Sequence, residues 1–241
     1  HASKDALAAA LSSLAVVVLS ASMVSCGGKD EDKYQPRAAS SGPKASLPAV
    51  PNVPQKPIKA GDAYTVWGAS YSLRSRTHRK DVAGKKLSIT GYIGKTNLPD
   101  APACAVHKGG KADPDGCNAP VPAFWVCDTK DAPENECIKV MGWSSNFAGI
   151  YDAVVEFEKK EDAEKSDTFW GVKMPNPIPN KGAKVTVKGD YSTTFVRATT
   201  GTEADPIMGI LTYEDMTYHE KPAELAFLPG MDPPKEAPKK K

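Results

Sequence analysis

Net charge is almost missing from this chain. Thirty-one lysines and arginines stand against 29 acidic residues, a formal +2, so the whole molecule has no field of the strength that marks a dedicated nucleic-acid binder. Histidine is scarce as well, with four in 241 residues. His78, His107 and His219 have no serine or acid at a catalytic spacing, and "GWSSN" is not the glycine-serine-glycine elbow of a hydrolase. No glycine loop cradles a phosphate. The chain is therefore expected to be no enzyme and to call for no cofactor. Proline and glycine, by contrast, are plentiful at 21 and 19, which points to one ordinary core flanked by long unpacked stretches.

Long hydrophobic runs are also missing, with one exception. From Ala6 to Val24 the chain carries no charge and is mostly small or aliphatic, as a secretory signal must be. An uncleaved span is the alternative, since a membrane helix needs about 20 such residues. The run ends in Met23-Val24-Ser25-Cys26, which resembles the bacterial lipobox, with methionine where leucine is usual. That resemblance implies a signal peptide over 1–25 and a diacylated Cys26 as the new amino terminus. It also implies a bacterial cell-envelope location in which Cys26 ties the protein to the membrane, with the outer membrane expected. Each acyl CH₂ contributes about 0.8 kcal/mol and one chain holds only marginally, so two or three chains on one residue make a durable anchor. Residues 26–60 follow as a linker in which Gly27 to Ala60 holds six prolines and no apolar period. Such a segment cannot bury enough surface to offset its ordering entropy, and as a flexible coil it spans about 30 Å. Residues 220–241, rich in Pro, Lys and Glu, read as a second disordered tail.

Four more cysteines remain, at 104, 117, 127 and 137. Outside the cytosol they are disulfide candidates, and four allow three connectivities. Cys104 with Cys117 and Cys127 with Cys137 each bracket a polar, turn-rich segment that a local bridge would close, worth about 3 kcal/mol in the loop-entropy model. A metal site from Cys104, His107 and Cys117 fits no recurrent zinc spacing. Asp113-Pro114-Asp115-Gly116 resembles the start of a calcium loop, but Phe124 stands where the bidentate glutamate belongs. No metal is expected.

The middle of the chain carries the fold. "GKKLSITGYIG" alternates with the period of two that a half-buried strand requires. "FWVC" and "CIKVMGW" form a second and third strand around the turn from Asp128 to Glu136. Phe147, Ile150, Tyr151, Val154 and Phe157 recur at three and four, a helix with a Ser or Asn cap. "AKVTVKGDYSTTF" and "GILTYEDMTYH" then supply strands four and five. "TVWGASYSLRS" reads either as a strand or as a short helix.

Three strands, a helix and two strands is the order of the five-stranded OB-like Greek-key barrel, mainly β, with its helix between strands three and four. Glycines at 91 and 189, within two "Lys, aliphatic, x, aliphatic, x, Gly" strands, suit its sharp bends. On "TGYIGKTNLPDAPACAVHKGGKADPDGC" and "VMGWSSNFAGIYDA", the chain resembles OB-fold domains of bacterial envelope proteins, and more closely the uncharacterised lipoproteins of the myxobacterial kind. The likeness covers about Tyr64 to His219, so the domain is set at 61–219. It implies no activity, and the barrel alone does not license nucleic-acid binding.

Two surfaces are candidates for binding. If Cys127 and Cys137 join facing strands, parity places Trp125, Lys139, Met141 and Trp143 on their face and turns Phe124, Val126, Ile138 and Val140 inward. Exposed, those two tryptophans would make a stacking platform; the alternative is that Ala63 to Leu73 or the Cys104–Cys117 loop covers them. The second surface is Arg74, Arg76, Arg79, Lys80, Lys85 and Lys86, opposed in that stretch only by Asp81. It suits lipid headgroups or an anionic polymer. Two functional classes follow: a membrane-anchored binding or assembly module for an envelope protein or glycan, or a purely structural subunit of an envelope complex.

Overall fold

A computed structural model describes residues 56–109, 112–197, 201–223 and 228–231. The signal segment, Cys26, the linker up to residue 55 and most of the carboxy-terminal tail lie outside the described residues. The elements run in the order β1 (Lys59–Ala60), β2 (Ala63–Thr65), α1 (Val66–Arg74), α2 (Arg79–Val82) and β3 (Lys85–Thr96). After these come β4 (Phe124–Cys127), β5 (Ile138–Met141), α3 (Phe147–Lys159), β6 (Lys184–Ser192), β7 (Thr194–Arg197), β8 (Gly201–Ala204) and β9 (Ile210–Glu220).

Five of these strands close into a barrel. β3 pairs antiparallel with β4, β4 with β5, and β6 with β9, while β5 runs parallel to β9 and β6 returns antiparallel to β3. The circular order β3-β4-β5-β9-β6 is that of an OB-like Greek-key barrel, with α3 joining β5 to β6 and the parallel partners β5 and β9 connected through α3, β6 and the β7–β8 segment. Short β1 and β2 extend the sheet outside the ring, Tyr64 lying beside Ile89. The ambiguous stretch resolves as helix α1, capped by Thr65, whose side chain accepts from Gly68 N, and by Asp128, which accepts from Val66 N and Trp67 N. These bonds satisfy amides that a helix start leaves orphaned. α3 begins at Asn146, whose side chain accepts from Gly149 N at 2.7 Å.

The inward quartet Phe124, Val126, Ile138 and Val140 is fully buried, together with Ile89, Ile93, Val185, Val187 and Leu211. α3 closes the barrel with Phe147, Ile150, Val154 and Phe157. Gly189 is where β6 crosses β9: a Cβ there would lie 1.9 Å from the Thr212 carbonyl oxygen, and the register shifts at the same point. Only a residue without a side chain permits that approach.

Three boundaries differ from the sequence reading. Lys59 and Ala60, placed in the linker, form β1 against β2. The strand read through Phe195 ends at Ser192, and the chain turns into the separate hairpin β7–β8. Leu228, placed in the disordered tail, is buried in the core with Met231 packed against the same cluster. An apolar side chain beyond the last strand thus docks where composition alone reads only Pro and Lys.

Three phenols sit within or against the core. Tyr191 donates to Met208 O, Tyr213 to Lys173 O at 3.1 Å and Tyr218 to Pro177 O at 2.7 Å. Burial pushes all three well above the ordinary tyrosine value of 10, with Asp205 acting in the same direction on Tyr191 and Asp215 on Tyr213. A raised folded-state pKa favours the protonated phenol in the native state. Its contribution is therefore complete below about pH 10 and lost as pH rises beyond it. Spectrophotometric titration is expected to show these three of the eight tyrosines ionising only as the protein unfolds in alkali, with denaturation midpoints falling above pH 10. Gly189→Ala is expected to cost about 1–3 kcal/mol or more through overpacking, read as a lower urea midpoint at unchanged slope.

Candidate functional site

The outer face of the barrel carries a row across three neighbouring strands. Lys95 on β3 stands opposite Trp125 on β4, which stands opposite Lys139 on β5. The two ammonium groups lie over the indole, 4.9 Å and 5.3 Å from the ring centroid. Lys95 is held by Glu134 at 2.6 Å and Lys139 by Glu203 of β8. Trp125 is half-buried, so its ring is framed by two cations, each about 0.5–1 kcal/mol at an accessible site, and each fixed by a carboxylate.

The other two members of the predicted face are corrected. Met141 is fully buried, in a small outer cluster with Val121, Ala123, Phe195 and Ile210, edged by Trp125 and Trp170. The cover over Met141 comes from β7 and the segment before β4. Trp143 is fully buried inside the main core, edge-on to Phe124 with ring centroids 6.0 Å apart. The β5 ladder ends at Met141, and Gly142 takes φ +82. That left-handed residue breaks the alternation on which parity depends.

A different aromatic group replaces them. Phe169 meets Trp170 edge-on at 4.9 Å, and Trp170 meets Phe195 at 5.7 Å. Buried Asp167 sets this corner, accepting hydrogen bonds from Phe169 N, Trp170 N, Ser145 N and Ser145 Oγ. Phe169 remains 62% exposed and Val196, on the outer side of β7, 66%. Trp170 Nε1 is buried and finds no acceptor among the described residues. Sequence reasoning passed over this group; the adjacent pair in "DTFWGV", outside any periodic element, was the available signal.

Both disulfides form as the spacing predicts. Cys104 joins Cys117 with Cα atoms 5.9 Å apart, and Cys127 joins Cys137 at 4.4 Å, across the β4–β5 hairpin. The first bond consumes the thiols that a metal site with His107 would need. Among the described residues no group of three His, Cys, Asp or Glu side chains is arranged to hold a metal ion.

The six basic residues are all exposed: Arg74 ends α1, Arg76 lies in the turn that follows, Arg79 and Lys80 are on α2, and Lys85 and Lys86 begin β3. Lys86 pairs with Glu214 at 2.9 Å, and Lys188 holds the other oxygen of that carboxylate at 3.2 Å. Hydrogen bonding to Glu214 raises Lys86, and hydrogen bonds from Lys86 and Lys188 lower Glu214.

The fold and site define a class: an OB-like barrel stapled by two disulfides, with a tryptophan framed by two lysines on its outer face. No family model and no curated protein matches the chain. Among solved structures it is similar to OBody AM3L09 bound to hen egg-white lysozyme, at 11% identity and a TM-score of 0.26, over 59% of this chain and 88% of that one. A likeness of that size says nothing of function. Acrylamide is expected to quench the emission that Trp125→Phe removes and to leave untouched the emission that Trp143→Phe removes; equal quenching of the two would contradict the placement described above.

Proposed function

We propose that this chain is a membrane-anchored envelope lipoprotein whose OB-like barrel is a binding or assembly module, with Trp125 at the centre of its ligand face. The observation that carries the reading is the half-exposed indole framed by Lys95 and Lys139, packed on the same outer cluster as Trp170. Because Glu134 and Glu203 balance the two lysines, this face offers flat apolar contact rimmed by hydrogen-bonding groups. Such chemistry suits a glycan or a peptide segment better than a bare polyanion. The anchor is supported by Met23-Val24-Ser25-Cys26 after an uncharged run, and the two disulfides fit an oxidising compartment.

The test is titration of the purified chain with peptidoglycan fragments and envelope glycans, followed by tryptophan emission. A saturable change is expected, weakened about tenfold or more by Trp125→Ala, the scale of a lost stacking contact. No response, together with a protein partner that co-purifies at fixed stoichiometry, would favour the structural-subunit alternative. Mass spectrometry of the amino-terminal peptide from a bacterial host is expected to show an acylated Cys26.

A further inference from the structure

We infer that the face built from α1, α2 and the strand that leads into them is a membrane-contact surface, resting on the anionic headgroups of the bilayer that holds Cys26. The inference rests on the lipid-anchor reading of Cys26. Three observations converge on this face.

The first is a stripe of one half-buried and one exposed aromatic ring. Trp67, Tyr71 and Arg74 lie four and three residues apart, on one side of α1. The rings of Trp67 and Tyr71 stack at 4.8 Å with 15° between planes. Tyr71 is 41% exposed and Ile58, whose backbone crosses α1 at Gly68, 42%. Ile58 is held there by Thr65 N at 3.0 Å, and a Cβ on Gly68 would fall 2.0 Å from its carbonyl oxygen. Amphipathic aromatic rings sit at the headgroup level of a bilayer.

The second is segregated charge. Residues 56–86 hold eight lysines and arginines against Asp62 and Asp81, while the other 210 residues hold 23 against 27 acids. A chain that is nearly neutral as a whole therefore carries its positive field on one small unit. Lys86 is taken by Glu214, and Asp81 lies 3.8 Å from His78. Arg74 and Arg79 donate to the carbonyls of Ser70 and Leu73. Arg76, Lys80 and Lys85 are exposed and meet no carboxylate among the described residues. Long cationic side chains of this kind reach phosphates while their stems lie on apolar surface.

The third is where the chain enters. The described residues begin at Lys56, and Thr65 Oγ1 donates to Pro57 O at 2.6 Å. The described chain thus enters the domain at the amino end of α1. A tether makes a weak contact effectively intramolecular, and an acyl anchor plus a polybasic patch is the combination that holds a protein on a bilayer.

The test takes the full chain, purified from bacterial membranes, into vesicles of phosphatidylcholine with and without phosphatidylglycerol. Amide hydrogen exchange is the readout. Residues 66–82 are expected to exchange about three- to tenfold more slowly on the anionic vesicles, with the protection lost at high salt. The double variant R76E/K80E is expected to abolish that difference, and Tyr71→Ser, which keeps the charge, to reduce it. Equal exchange on both vesicle types would overturn the inference. So would protection of residues 66–82 by duplex DNA but not by vesicles, which would assign the cations to a polymer. An unmodified Cys26 in the intact mass would overturn the anchor reading, whereas slower exchange at residues 66–82 on anionic vesicles would still support the contact surface.

Discussion

Barrel closure through β3 is the constraint on which the rest of the structure depends. This one strand pairs with β6 over Lys85 to Tyr92 and with β4 over Tyr92 to Thr96. Twelve extended residues would reach about 40 Å if straight, so β3 must coil to serve both partners. Glycine makes the coil possible: a Cβ on Gly91 would lie 2.4 Å from the Cys127 carbonyl oxygen, and one on Gly94 would lie 2.5 Å from the Cys127 sulfur. Closure removes the open edges of the five strands and leaves an interior that Ile89, Ile93, Phe124 and their neighbours fill.

What closure leaves outside is divided by chemistry. The β4–β5 face carries the framed Trp125, pinned at its far end by the Cys127–Cys137 bridge. The β7–β8 hairpin, set between the last two barrel strands, lays Phe195 over Met141 and Ile210 and brings Glu203 to Lys139. That hairpin therefore both finishes the outer surface and sets the electrostatics of the proposed ligand face. The α1–α2 unit joins the sheet through β2 and packs Val66, Ala69, Leu73 and Val82 into the main core, so that its cations are left on the outside.

Much of this was legible in the residues themselves. Alternation marked β3 and β6, the short apolar runs on either side of the Asp128 to Glu136 turn marked β4 and β5, and the three-and-four spacing of Phe147, Ile150, Val154 and Phe157 marked α3. The inward quartet of the β4–β5 hairpin followed from parity, and both disulfides followed from the polar segments they close. Trp143 and Met141 were not legible for two separate reasons. Parity carries information only along a continuous ladder, and Gly142 ends that ladder one residue before Trp143. Met141 does point outward, but Phe195, far along the chain, covers it. Trp170 and Phe169 belong to no periodic element, so nothing in their spacing announced that Asp167 would hold them beside Phe195.

The sequence by itself determined whatever acts within about a dozen residues: strand and helix periods, the closure of two short cysteine loops, and the clustering of cations between Arg74 and Lys86. Tertiary structure alone decided that β9 runs between β5 and β6, that one tryptophan of the predicted pair is core and the other surface, and that the Ile58 backbone crosses α1 at Gly68. Local patterns are set by backbone geometry and solvent on each side of one element. The neighbours of a side chain are set by which distant segments the closed barrel brings to it.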